Sequence, residues 1–139
     1  LKQPEPNPDL FHFIEDAFLH LDHANNAEVA NFPLYFALHL GGFYGFRIVD
    51  KYSDKKNILD LNEGEFVEKR PLHSWFLETE YSQIISMLLK VMQPSELSEI
   101  KLNKETRRIL LHALETFYSL HLQDFGTLKT LPVLEAVLG

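Results

Sequence analysis

The strongest pattern in the sequence is a long run of apolar residues that recur at intervals of three and four between residues 107 and 122. This spacing places the apolar side chains along one face of an α-helix. Asn103 is a suitable N-cap residue before the run, and Gly126 is a suitable residue just after it. We therefore predict that the longest helix of the protein lies here and buries one face against other elements.

Two shorter segments, residues 10–21 and 81–92, repeat this helical spacing. Each is expected to form an amphipathic helix. We expect Asn25 and Asn26 to end the first helix and Pro94 to close the second, because proline cannot continue a helix. A last short helix is expected after Thr130, which is a suitable N-cap residue.

Residues 27–44 are apolar on nearly all sides, which is typical of a helix buried in the core. Pro33 interrupts this segment and leaves two alternatives. Either a helix begins afresh at Asn31 with Pro33 in its first turn, or one helix continues and is kinked at the proline. Gly45 is the expected end of this helix.

Residues 46–72 lack the helical spacing. Two short runs, residues 58–61 and 65–68, flank a turn at residues 62–64 that contains glycine, and this pattern indicates a β-hairpin. The sequence therefore predicts a mainly α fold, a helical bundle of about five helices with one small β-hairpin insertion.

The length of 139 residues fits one domain. Residues 1–8 contain three prolines and are predicted to be a linker, with residues 9–139 as the helical domain. Because the first residue is Leu1 and not methionine, we expect the chain to be the C-terminal part of a longer protein.

Charge and cysteine content exclude several classes of function. The net charge of −7 has the wrong sign for an autonomous nucleic-acid binder, whose affinity comes mostly from cations on phosphates. The chain has no cysteine, which excludes disulfides, thiolate metal sites and a thiol nucleophile. No apolar run is long enough for a membrane helix and no secretory signal is present, so we expect a cytoplasmic protein without membrane contact.

Histidines and carboxylates supply the candidates for a metal or catalytic site. His20 and His23 lie three residues apart and could ligate a metal ion, but the spacing supplies no third ligand, and we interpret them as surface histidines. Glu63, Glu65 and Glu68 surround the hairpin, where alternating charges are ordinary on a solvent-facing ribbon. No phosphate loop, nucleophile elbow or dinucleotide-binding glycine pattern occurs, so we predict a protein that is not an enzyme and uses no cofactor.

Three other histidines, His39, His112 and His121, fall within predicted apolar helices. A histidine in such a segment is more often partly buried and hydrogen-bonded than a ligand. We therefore expect all three to be partly buried.

Basic residues form three clusters along the chain. In the first, Lys104, Arg107 and Arg108 share roughly one side of the longest helix at its start, just after Lys101. Since the start of a helix already favours anions, these cations raise the local positive potential further. They are either solvated charges or a docking site for an acidic peptide or for phosphates. The other two clusters are Arg47, Lys51, Lys55 and Lys56, and Lys69 with Arg70.

Three segments carry a resemblance to a known family: NFPLYFALHLGGFYGF at residues 31–46, LDLNEGEF at 59–66, and RRILLHALETFYSLHL at 107–122, followed by FGTLKTLPVL at 125–134. Together they resemble the C-terminal helical region of the bacterial recombination mediator RecO, in a Bacteroidetes-like variety. The order and spacing of the segments match over nearly the whole chain.

The resemblance implies an OB-fold before Leu1 and a non-enzymatic role in recombinational DNA repair. RecO proteins bind single- and double-stranded DNA, anneal complementary strands and help to load RecA. They also engage RecR and the acidic C-terminal tail of single-strand-binding protein, which ends in phenylalanine. The negative charge of this chain suggests that much of the DNA affinity would reside in the OB-fold.

The resemblance also implies a partner-binding site. A basic residue at the start of the long helix matches Arg107 or Arg108, and we expect Arg107, Arg108 and Lys104 to hold the carboxylates of the acidic tail. Arg47 is a further candidate for partner binding. Many relatives carry a four-cysteine zinc module where this chain has residues 52–73. Because the chain has no cysteine, zinc is not carried over, and the hairpin is expected to be a metal-free ribbon.

Two other interpretations stay open. An unrelated helical scaffold or regulatory domain would show the same aromatic core, and binding of the acidic tail would separate it from a RecO-like domain. A metal-dependent hydrolase on a helical bundle would need carboxylate–histidine pairs on facing helices, and the sequence does not assemble such pairs.

Overall fold

The computed structural model describes residues 8–23, 26–41 and 47–125. The helices in these ranges are α1 (Pro8–Leu21), α2 (Ala27–Leu40), α3 (Thr79–Leu89), a 3₁₀ helix (Pro94–Glu99) and α4 (Lys104–Phe125). The strands are β1 (Ile58–Asp60), β2 (Glu65–Val67) and β3 (Phe76–Leu77). The predicted mainly α fold with a small β insertion is confirmed. Residues 1–7 of the predicted linker, the expected borders at Asn25, Gly45 and Gly126, and the helix after Thr130 lie outside the described residues.

Asparagine side chains set the starts of two helices. The side-chain oxygen of Asn103 accepts a hydrogen bond from the backbone N–H of Thr106 at 2.7 Å, so Asn103 caps α4 as predicted. Asn26 does not end α1. Its side-chain oxygen accepts from the N–H of Glu28 at 2.8 Å and caps α2 instead. The same residue type is suited to either role, and the helix that follows Asn26 decides between them.

Helix α2 runs through Pro33 without a break, so the alternative of a fresh helix at Asn31 is wrong. Proline has no N–H to donate, and the carbonyl of Val29 therefore lacks its usual partner four residues later. Burial offsets this loss. Seven residues of α2 are buried: Ala30, Asn31, Pro33, Leu34, Ala37, Leu38 and Leu40. The prediction that this helix lies in the core is confirmed.

Two buried polar side chains connect α2 to its neighbours. The side-chain amide of Asn31 donates to the backbone carbonyls of Leu97, at 3.2 Å, and Ile100, at 2.6 Å, and so ties α2 to the 3₁₀ helix. The hydroxyl of Tyr118 in α4 donates to the carbonyl of Ala37, at the far end of α2. Such groups remain in a core because hydrogen bonds replace the water they lose.

The small sheet has the strand order β2-β1-β3, and both pairings are antiparallel. The predicted hairpin is confirmed by the pairing of β1 with β2, whereas β3 was not predicted. Gly64 has a φ of +71° in the hairpin turn, a conformation that other residues rarely adopt. A Cβ atom there would also lie 3.2 Å from the ring of Phe117, so the turn packs directly on α4.

Side-chain hydrogen bonds of Asp60 hold the hairpin and β3 together. Oδ1 of this buried residue accepts from the backbone N–H groups of Asn62, at 2.9 Å, and Glu63, at 3.2 Å. Nε2 of His73 lies 3.1 Å from the same oxygen, while Nδ1 accepts from the N–H of Trp75. Because Nδ1 is an acceptor, the proton of a neutral His73 is on Nε2 and points to Asp60. These bonds fix the chain that leads into β3.

Candidate partner-binding site

Two cations at the start of α4 face solvent. Lys104 is the first residue of the helix and Arg108 lies one turn later, and both side chains are exposed. Oε2 of Glu105 lies 4.0 Å from the guanidinium of Arg108, and the side chain of Glu105 is itself exposed. Lys101, three residues before the helix, is also exposed. The structure therefore places Lys101, Lys104 and Arg108 of the first basic cluster at the surface near the start of α4.

Arg107 differs from these neighbours because its side chain is only 9% exposed. Its Nε donates to Oδ1 of Asp22 at 2.6 Å, and its Nη1 donates to the backbone carbonyl of Leu102 at 2.7 Å. Nη2 lies 3.5 Å from the backbone oxygen of Asp22. The guanidinium is thus engaged within the domain, and a direct contact between Arg107 and a partner stays a prediction that the geometry does not favour.

Asp22 is the residue of this site that the sequence did not reveal. It follows the last residue of α1, and its side chain is only 2% exposed. Its second oxygen, Oδ2, is buried with no hydrogen-bond partner among the described residues and lies 4.0 Å from the ammonium of Lys104. Asp22 neutralises Arg107, so the charge presented to solvent comes from Lys101, Lys104 and Arg108. A buried arginine requires an acid nearby, but its position in the sequence cannot be inferred.

Apolar side chains accompany these cations. Leu102, just before α4, is half-buried and packs against the core. Ile109, next to Arg108, is also half-buried. Cations beside partly accessible apolar groups can bind a ligand that combines carboxylates with an aromatic side chain.

Arg47 belongs to a different surface. It lines a groove of about 430 Å³ beside β2, here called the hairpin groove, together with Lys51 and Lys56. The acids Glu63, Glu65 and Glu68 line the same groove and are exposed.

The hairpin groove is distant from the start of α4. The backbone oxygen of Arg47 and the ring of Phe117 both lie near Gly64. Phe117 follows Arg107 by ten positions, which is roughly 15 Å along a helix. The structure therefore does not join Arg47 to Lys104 and Arg108. In the third basic cluster, Arg70 pairs with Glu78 at 3.1 Å, and both side chains are exposed.

Most of the histidines whose burial the structure describes are at the surface. His20 and His23 are exposed, in agreement with their interpretation as surface residues. His39 and His112 are exposed as well, so the prediction of partial burial is wrong for these two. It is confirmed for His121, which is half-buried with Nε2 3.3 Å from a backbone carbonyl oxygen just after β1. In the part of the chain that the structure describes, no group of three or more His, Asp or Glu side chains could hold a metal ion.

A pair of carboxyl groups lies between α1 and α4. Burial raises the pKa of Glu115 to about 7, and the hydrogen bond and negative charge of Glu15 contribute to the same shift. Perturbed carboxyl groups occur in active sites but also in structural pairs. The nearby His112 is exposed, with Nδ1 3.8 Å from Oε1 of Glu115. We interpret the two glutamates as a structural pair.

Comparison with curated proteins gives seven relatives, all named DNA repair protein RecO. The chain is 27% identical over 137 residues to the protein of Azobacteroides pseudotrichonymphae, covering 99% of the chain and 56% of the relative. It is 29% identical over 135 residues to that of Phocaeicola vulgatus, covering 97% and 55%. It is 30% identical over 141 residues to that of Flavobacterium psychrophilum, covering 99% and 55%. The resemblance to RecO is confirmed.

The chain spans about half the length of the RecO proteins it matches. No family model matches it, and no solved structure matches it significantly. Among the described residues, no helix is both long enough and apolar enough to cross a membrane.

Proposed function

We propose that this RecO-like chain is a non-enzymatic docking domain of a cytoplasmic DNA repair protein. In this proposal the start of α4 binds the acidic tail of single-strand-binding protein. The domain also engages RecR, and an OB-fold that precedes residue 1 makes most of the contacts with single- and double-stranded DNA. The whole protein then assists strand annealing and RecA loading. The support is the similarity to proteins named DNA repair protein RecO and the cationic surface on a chain of net charge −7.

One observation carries the proposal. Lys104 and Arg108 are exposed at the start of α4, above an Arg107 whose charge is already balanced by Asp22. Carboxylates bind well where cations and free backbone N–H groups of a helix start coincide. Leu102 and Ile109 supply apolar surface for the terminal phenylalanine of the tail.

The four basic residues have different roles in this proposal. Lys104 and Arg108 contact the tail directly. Arg107 acts through Asp22 and Leu102 by fixing the first turn of α4 against α1. Arg47 lies in the hairpin groove, so it contacts a different segment of a partner.

Titration with a fluorescent peptide of the acidic tail tests the site. We expect Arg108→Ala to weaken binding about 5- to 10-fold, because one charge-assisted hydrogen bond is lost. Lys55→Ala is the matched control, since Lys55 is also exposed but lies in the loop before β1. Equal affinities of the two variants would show that the tail binds elsewhere. No binding by the unmodified chain would favour an unrelated scaffold domain.

A further inference from the structure

A second groove lies between the end of α3 and the 3₁₀ helix, and none of its lining residues is used in the proposed function. It has a volume of about 400 Å³ and is lined by Met87, Lys90, Val91, Glu96, Glu99 and Ile100. We call it the methionine groove. Val91 and Ile100 are buried and form its floor, whereas Met87 is 41% exposed.

Of the two methionines of the chain, one lines this groove and the other follows the lining residue Val91. Met87 lines it, and Met92 follows α3 beside it with 84% of its surface exposed. The backbone N–H of Met92 donates to Oε1 of Glu96 at 2.7 Å, which holds this residue next to the groove wall. Methionine side chains are flexible and adapt to apolar partners of different shape. Contiguous patches of exposed apolar side chains often mark interaction surfaces, whereas single exposed apolar residues are ordinary.

The uncompensated charge of the methionine groove is negative. Glu96 and Glu99 are exposed and lie one turn apart on the 3₁₀ helix. Lys90 also lines the groove, but its ammonium is 2.7 Å from Oδ2 of Asp50 and 2.7 Å from Oγ of Ser86. Its charge is therefore balanced within the domain, and the two glutamates set the potential that a partner meets.

We propose that the methionine groove binds a basic amphipathic helix of a partner protein. Apolar residues of that helix pack on Met87, Val91 and Ile100, and its lysines or arginines lie beside Glu96 and Glu99. A helix fits because its apolar residues recur every three or four positions along one face. Charge complementarity excludes an acidic segment of the kind proposed for the start of α4. It also disfavours a second copy of this chain, which would bring the same two glutamates and a net charge of −7 to the contact.

The two methionines provide a direct readout of binding. The full chain with ¹³C-labelled methionine methyl groups gives two NMR signals, which Met92→Leu assigns. The probe is a synthetic helical peptide of leucine and lysine, and the matched peptide has glutamate in place of each lysine. We expect both methionine signals to shift and saturate with the lysine peptide and to stay unchanged with the glutamate peptide.

Charge reversal at the rim gives the second measurement. Glu99→Lys is expected to weaken binding of the lysine peptide about 10-fold, because attraction at that point becomes repulsion. Glu80→Lys makes the same change at an exposed glutamate in the first turn of α3 and is expected to bind like the unmodified chain. The proposal is overturned if both peptides shift the signals equally or if the lysine peptide leaves them unmoved. It is also overturned if the signals shift with protein concentration alone, which would place a second copy in the groove.

Discussion

An acid–base pair lies at each of the two proposed binding surfaces, and the two pairs differ in depth. At the start of α4, Nε of Arg107 is 2.6 Å from Oδ1 of Asp22, and the two side chains are 9% and 2% exposed. At the methionine groove, Nζ of Lys90 is 2.7 Å from Oδ2 of Asp50, and the side chains are 65% and 23% exposed. The two pairs thus share chemistry and distance but not their surroundings.

The comparison indicates that burial of the side chains, more than the distance between them, determines how much an ion pair contributes to stability. Removing one partner of a buried pair leaves a charge without water or counter-ion, which is strongly destabilising. An exposed pair exchanges its partner for water at little cost. We therefore expect Asp22–Arg107 to hold α1 against α4, and Asp50–Lys90 mainly to balance charge beside the methionine groove.

The largest effect is expected from Arg107→Met, which keeps an unbranched apolar side chain but removes the guanidinium and leaves Asp22 buried without its counter-ion. The free energy of unfolding should fall by about 3 to 5 kcal/mol. Urea unfolding at pH 7, followed by circular dichroism, measures it.

The control for Arg107→Met is the double variant Asp22→Leu with Arg107→Met. It removes both charges and should recover most of the lost stability, because no buried charge is left unpaired. If Arg107→Met is as stable as the unmodified protein, the buried pair contributes no more to stability than the exposed pair.

An intermediate effect is expected at the like-charged pair of the α1–α4 contact. Because burial and Glu15 raise the pKa of Glu115 to about 7, the folded protein binds this proton more tightly than the unfolded chain. The resulting stabilisation is complete below the ordinary pKa of 4.5 and is lost as pH rises through 7. We expect a loss of about 1 to 2 kcal/mol between pH 5 and pH 8, after allowing for solvent screening.

Glu115→Gln should flatten this pH dependence, since glutamine keeps the hydrogen bond without the charge. Urea unfolding at several values between pH 5 and pH 8 compares it with Glu105→Gln, an exposed change on the same helix. If the two variants show the same pH dependence, Glu115 is not the titrating group.

The smallest effect is expected from Lys90→Met at the exposed pair, about 0.5 kcal/mol at pH 7. Burial alone would raise the pKa of Asp50, but hydrogen bonds from Lys90, Ser86 and Tyr52 lower it below its ordinary value. The contribution of Asp50 is therefore present above pH 3.8 and lost as pH falls through the lowered pKa. Urea unfolding at pH 7 and pH 3 should show a smaller difference between Lys90→Met and the unmodified chain at the lower pH. A loss of stability as large as that of Arg107→Met would contradict the conclusion that burial determines the contribution of an ion pair.

Features set by neighbouring residues were predictable from the sequence. The cap at Asn103 and the turn at Gly64 depend on a few adjacent positions, and both were confirmed. The two residues of β3 carry no pattern of their own, because only their pairing with β1 makes them a strand. Helical spacing identified the apolar helices, but it did not show that His39 and His112 face solvent.

The same distinction between local features and contacts of distant residues applies to the candidate site. That Lys104 and Arg108 share one side of α4 follows from their separation of four positions. That Arg107 is turned inward follows from Asp22, which lies in another helix region and far away in sequence. The methionine groove was not predicted either, because it forms between two elements whose packing the sequence pattern does not specify.

The bond between Asp22 and Arg107 joins residues 85 positions apart, so the ribosome adds Asp22 to the chain well before Arg107. At ordinary rates of synthesis, Arg107 is added roughly 4 to 17 s after Asp22. During that interval Asp22 lacks its partner, and Ile14 and Phe18, which belong to the buried core of the finished domain, lack the residues that α4 adds to that core. We therefore expect α1 of the nascent chain to be accessible to chaperones until α4 has been made.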